Sequence, residues 1–171
     1  MLDSAFNLVR DSLNKHLIGK FNLNEDVVVI SGLSNQNRST SSGRLNKLIL
    51  SLVNLEVRQG MTSNAMFRNR DSSAVKKEPE MNVEVCFMIA ANFATENYNE
   101  ALRYISETMT YFHVNRIFDK SNIPDIPKNM SKLMIEVHNR NIEETSQIWQ
   151  MIGVEYMPSV AYRMTVVSSL D

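Results

Sequence analysis

At 171 residues, with 43% hydrophobic and 22% charged residues, the chain is sized for one domain with its own core and is too apolar for wholesale disorder. A net charge of -1 gives no electrostatic reason to expect nucleic acid or an anionic membrane as partner. The single cysteine, Cys86, excludes an internal disulfide framework, no apolar run has the length of a bilayer span, and the opening MLDSAFNLVRDSLNKHL lacks a signal peptide's layout, so a cytoplasmic protein is expected.

Leu2, Phe6, Val9, Leu13 and Leu17 recur at helical spacing and predict an amphipathic first helix, with Asp3 as cap and Gly19 as stop. Val27 to Ile30 reads as a short strand, and the polar run Ser34 to Arg44 as a loop. Lys47 to Arg58 reads as a long strand, apolar on both faces through Val53 and so largely buried. Gln59 to Glu80 is the longest irregular segment, a flexible loop in this reading. Met81 to Phe93 returns to strand, with Met81, Val83, Val85, Phe87, Ile89 and Phe93 on one face. A helix from Tyr98 to His113 follows, capped by Asn97, with Leu102, Ile105, Met109 and Phe112 as its buried stripe. Ile123 to Lys128 is a proline-bracketed turn, and Leu133, Ile135 and Val137 mark a fourth strand.

The last stretch carries the clearest local signals. Asn141 and Glu144 have the spacing of a capping box, and Ile142, Ile148, Trp149 and Ile152 give the helix an apolar side. Gly153 supplies a left-handed stop, Pro158 prevents re-entry into helix, and Val160 to Val167 forms the last strand. The order is α-β-β-β-α-β-α-β. It predicts an α/β (α+β) fold in a single domain, a mixed sheet of about five strands flanked by helices, with right-handed crossovers in its β-α-β-α-β ending.

Signals for chemistry are poor. No glycine loop for phosphate is present, and His16, His113 and His138 lack metal-ligand spacing, so no catalytic residue, metal or cofactor is assigned. Cys86 sits mid-strand, where a small core residue is the ordinary occupant. Glu143 and Glu144 complement a helix start. The long loop alone is ambiguous. It carries Met61, Met66, Phe67, Arg68, Arg70, Lys76 and Lys77, residue types that interface cores favour, and these are the candidate interface. A solvated loop balanced by Asp71, Glu78 and Glu80 is an equal reading.

Several stretches carry a resemblance. Leu2-Asp3-Ser4-Ala5 through Arg10-Asp11-Ser12-Leu13-Asn14, then Ile49-Leu50-Ser51-Leu52-Val53-Asn54-Leu55-Glu56, then Ala90-Ala91-Asn92-Phe93 and Tyr98-Asn99-Glu100-Ala101-Leu102 match in order. Trp149, Gly153, Tyr156 and Pro158-Ser159-Val160-Ala161-Tyr162 complete the match. Together they resemble the tail-terminator, or cap, proteins of extracellular contractile injection systems, the phage-tail-like particles of antifeeding-prophage and virulence-cassette type. The resemblance covers essentially the whole chain, although longer relatives add a C-terminal extension.

It implies a structural protein rather than an enzyme: a homohexameric ring that ends the inner tube and the contractile sheath. The implied partners are further copies of the chain and the sheath and tube proteins, with neither nucleic acid nor membrane among them. Assembly would occur in the cytoplasm, in a particle later released or anchored. Sheath subunits in such systems add strands to neighbouring sheets, so the last strand is either an edge presented to such an arm or an internal core strand. The alternatives are a small cytoplasmic enzyme or ligand-binding domain with a pocket around His113, His138 or Cys86, and a phage head-tail connector.

Overall fold

The computed structural model describes residues 1–34, 43–58 and 80–169. Its elements are α1 (Leu2–Phe21), β1 (Val28–Ile30), β2 (Lys47–Arg58), β3 (Glu80–Asn92), α2 (Tyr98–Val114), β4 (Ile117–Asp119), β5 (Lys132–Val137), α3 (Ile142–Ile152) and β6 (Ser159–Ser169). The six strands make one mixed sheet in the order β1-β2-β3-β6-β5-β4. Only β1 and β2 pair in parallel; every other neighbouring pair is antiparallel.

The expected mixed sheet flanked by helices is therefore present, with one strand more than expected. That strand, β4, is three residues long, too short for a periodic signal. The turn after it is built from side chains. Asp119 accepts from the Ser121 amide at 2.8 Å, and Asn122 accepts from the Asp119 amide at 2.9 Å. β3 and β5 are both antiparallel to β6, so they run parallel and α2 lies in a true crossover between them. The closing β5-α3-β6 unit is no crossover, because β5 and β6 are antiparallel neighbours. β6 is consequently an internal strand, paired on both sides, and the reading of it as a presented edge is overturned.

Helices α1 and α2 cover one face of the sheet. Phe6, Val9, Leu13 and Leu17 of α1 bury against Val85, Phe87 and Ile89 of β3 and Leu48 and Leu50 of β2. Each such side chain contributes about 1.5–3 kcal/mol on burial. Asp3 sits in the first turn and is not the cap, which falls at Met1. Gly19 does not stop the helix; α1 runs on to Phe21 and closes at Asn22, left-handed with φ 53. A glycine inside a helix costs only about 1 kcal/mol against alanine, less than the packing around it returns.

Helix α2 buries Ala101, Tyr104, Ile105, Thr108 and Phe112, while the expected Leu102 and Met109 are exposed. Tyr104 and Thr108 take the inner stripe because each has an apolar body and a hydroxyl with a partner. Thr108 donates to the Tyr104 carbonyl at 2.8 Å, and Tyr104 to Glu100 at 3.1 Å. Asn97 caps α2 by position only; its side chain donates instead to Asn46 Oδ1, which also accepts from the Ala94 amide. This knot ties the start of β2 to the end of β3.

Strand β2 departs from expectation past its midpoint. Leu48, Ile49, Leu50 and Ser51 are buried, but Leu52, Leu55 and Val57 are exposed. The register shifts between Leu52 and Asn54, so Val53 is the extra residue of a bulge, after which Leu55 and Val57 stand opposite Val85 and Val83. These side chains lie on the core face, but beyond Leu50, where β1 ends.

Tyr162 of β6 lies at the centre of the core, stacked on Phe87 with centroids 5.4 Å apart and edge-on to Phe112 at 5.1 Å. Its hydroxyl has no partner among the described residues, and burial pushes the phenol well above its ordinary range. Tyr162→Phe should therefore raise stability by about 1 kcal/mol in urea denaturation, since it removes an unmet polar group and keeps the ring. A loss of stability would show that the hydroxyl has a partner.

Candidate functional site

The far face of the sheet holds the features of interest, and α3 organises them. The capping box forms as expected: Asn141 Oδ1 accepts from the Glu144 amide at 2.8 Å, and Glu144 accepts from the Asn141 amide at 3.2 Å. Gly153 ends the helix with φ 76. Ile148 and Trp149 bury against Met88 and Ala90 of β3, with Leu33, Val53, Ile152, Val154 and Met157 around them. Ile142, expected on that apolar side, is instead 88% exposed, because it opens the first turn before the helix reaches the sheet. Pro158 does more than exclude helix: its carbonyl accepts from the Ala91 amide at 2.8 Å, seating the start of β6 beside β3.

Among the described residues, three open regions bear on function. A groove of about 560 Å³ runs along α3, lined by Arg140, Ile142, Thr145, Trp149 and Tyr156. A second, of about 570 Å³, lies where α1 begins and β1 ends, between Leu2, Phe6, Ile30 and Leu52. The third is a polar cavity of about 230 Å³ that gathers Glu84, Cys86, His138, Arg140 and Arg163.

That cavity corrects the expectation for Cys86. The thiol is half-buried on the face away from the main core, and Arg140 Nη2 donates to its Sγ at 3.3 Å. Arg163 pairs with Glu84 at 2.7 Å. Burial, then the Arg140 and Arg163 cations, holds the His138 imidazole below its ordinary pKa. The cavity thus brings His138 and Cys86 together, as an enzyme reading required. Among the described residues, however, no hydrogen bond joins them, and the group that contacts the sulfur is Arg140. The other histidines are elsewhere: His16 contacts Glu107 at 2.7 Å, and His113 is exposed beside Arg116. Among the described residues no three of His, Cys, Asp and Glu converge as a metal would need, and no helix is long and apolar enough to cross a membrane.

The candidate interface residues Met61, Met66, Phe67, Arg68, Arg70, Lys76 and Lys77 lie outside the described residues. What the structure adds is the strand leading to them. From Ser51 to Arg58, β2 pairs on one side only among the described residues, and it carries Leu52, Leu55 and Val57 exposed. Such an edge is a template for another chain. The alternation of KLILSLVNLEVR concealed it, since a buried strand and an apolar edge share that composition.

Among solved structures, the chain is similar to the PVC sheath/tube terminator in the extended state, from an extracellular contractile injection system. The likeness has a TM-score of 0.61 at 16% identity and covers 100% of this chain and 57% of that one. It is also similar to the anti-feeding prophage cap, an AFP tube terminating cap, with a TM-score of 0.53 at 14% identity over 96% of this chain and 54% of the other. The chain therefore spans little more than half the length of these two proteins, and at such identities the likeness is one of fold. No curated protein matches the chain. The Pvc16 N-terminal domain family matches residues 6–170, a span that takes in all six strands and all but the first turn of α1, and the chain belongs to that family.

Proposed function

We propose that the chain is a structural terminator of a contractile, phage-tail-like injection particle, closing the end of its inner tube and sheath as a ring of six copies. The observation that carries this reading is the likeness in fold, over the whole of this chain, to a protein described as a sheath/tube terminator. A strand edge that no described residue pairs supports it, because a protein that ends a polymer needs surfaces for its neighbours more than a reaction centre. Contact with arms from the sheath falls to β2 beyond Leu50, the long edge left open among the described residues, since β6 is internal. Residues 61–77 follow directly from that edge in sequence and supply apolar and cationic groups for the same interface. Assembly takes place in the cytoplasm, before the particle is released or anchored.

The direct test is location. A gold-labelled copy of the chain should decorate one end of each particle, the end away from the baseplate, in electron micrographs. Label spread along the shaft, or absent from particles, would refute the reading.

The loop carries its own prediction. Replacing residues 61–77 with a short glycine/serine linker should leave a soluble protein with a melting temperature within about 2 °C of the parent, a change of about 0.5 kcal/mol or less, because this reading gives those residues a role in assembly and none in the fold. The variant should fail to form rings by solution mass measurement. Rings of normal mass would make the loop passive and leave the β2 edge as the interface.

A further inference from the structure

The groove along α3 has a chemistry that the terminator reading does not use. Two of its lining residues each hold a buried nitrogen donor without a partner among the described residues, Nε of Arg140 and Nε1 of Trp149. Trp149 is only 4% exposed, so its indole N–H has exchanged solvent for nothing. Guanidinium and indole nitrogens are donors only, so whatever satisfies them must bring acceptors. A buried donor left unmet is costly, and a ligand that relieves it gains that amount on binding.

The groove mixes polar lining, from Thr145, Ser146 and Gln150 of α3, with an apolar rim. Ile142 stands almost wholly in solvent at its rim, and Tyr156, also exposed, packs edge-on against Trp149 with centroids 5.5 Å apart. The Glu144 carboxylate is engaged at the Asn141 amide, and Arg163 lies against Glu84.

We infer that the α3 groove is a docking site for a peptide segment of a partner protein that presents a carboxylate next to an apolar side chain. The carboxylate pairs with Arg140, the apolar side chain covers Ile142 and the Tyr156 ring, and a peptide or carboxylate oxygen accepts from Trp149 Nε1. Cation, buried donor and apolar rim thus match one segment type, an acidic and apolar strand or tail. This site is separate from the β2 edge and stands whether or not the chain ends a tail.

The chain has one tryptophan, so its single indole signal in a proton–nitrogen NMR spectrum reports the groove directly. The probe is a short, terminally blocked peptide of alternating leucine and aspartate; the control replaces aspartate with asparagine. The expected result is a saturable downfield shift of the indole proton with the aspartate peptide. Affinity should fall about tenfold for the asparagine peptide and about tenfold again when wild type is replaced by a folded Arg140→Gln variant, as loss of a charge-assisted bond implies. An indole signal unmoved at millimolar aspartate peptide would overturn the proposal. So would equal affinity for the two peptides on the wild-type protein, a comparison that does not depend on the variant.

Discussion

Replacing Asn14 with alanine is expected to cost about 3–5 kcal/mol, although the residue lies on a helix and makes no claim on an active site. Its side chain is 3% exposed and faces the backbone of β1. Asn14 Oδ1 accepts from the amides of Val27 and Val28 at 3.0 and 2.8 Å, and Nδ2 donates to the Val28 carbonyl at 2.9 Å. Three bonds are lost in the variant, and the two amides remain in a site closed to water. Each bond is worth about 1 kcal/mol net and each stranded buried group costs about 1–3 kcal/mol, so part of the loss survives relaxation. For a chain of this size that is a fall in melting temperature of about 10 °C. Urea denaturation measures it. A loss under 1 kcal/mol would mean that β1 is held by β2 alone and that the clasp from α1 is incidental.

Trp149→Ala should have an effect of similar size by a different route. The indole anchors α3 on the far face of the sheet, where the buried cluster is small: Met88, Ala90, Ile148 and the tryptophan itself. Deleting a buried aromatic costs about 3–5 kcal/mol through lost transfer energy and the cavity left behind. Little else in that cluster can collapse into the space. The loss should be concentrated locally, with amide exchange accelerating through α3 and the start of β6 while α1 and α2 stay protected. A change below about 1 kcal/mol, or uniform acceleration across the chain, would contradict the assignment of Trp149 as anchor.

The elements readable in the sequence were those whose signals are local. The α1 stripe, the capping box at Asn141, the left-handed Gly153 and the core face of β3 all depend on residues within a few positions of one another. What escaped was decided by distant partners. Asn14 looks like any polar residue on a helix, and only the approach of β1 gives its amide three bonds. Leu52, Leu55 and Val57 look like core, and only the folded sheet shows them exposed, past the point where β1 ends. β6 reads as a strand from sequence, but whether it lies at an edge depends on β3 and β5 folding to either side.

Cys86 is the instructive failure. Assigning Val85 and Phe87 to the core face places Cys86 on the opposite face by the two-residue period of a strand, the face where Met88 and Ala90 are buried under α3 while Cys86 is only half-buried. What no periodicity contained was Arg140, 54 positions away, at 3.3 Å from the sulfur. The α3 groove was half legible. Trp149 and Gly153 are legible as the apolar side and the stop of a helix, but the unmet donors of Arg140 and Trp149 exist only once that helix is seated.

The central claim is that the chain sets where a tail ends, and the length distribution of assembled particles tests it most directly. Particles assembled without this chain should show tubes and sheaths of widely scattered length in electron micrographs, and supplying the chain should restore a single narrow peak. A narrow peak of normal length in its absence would contradict the account.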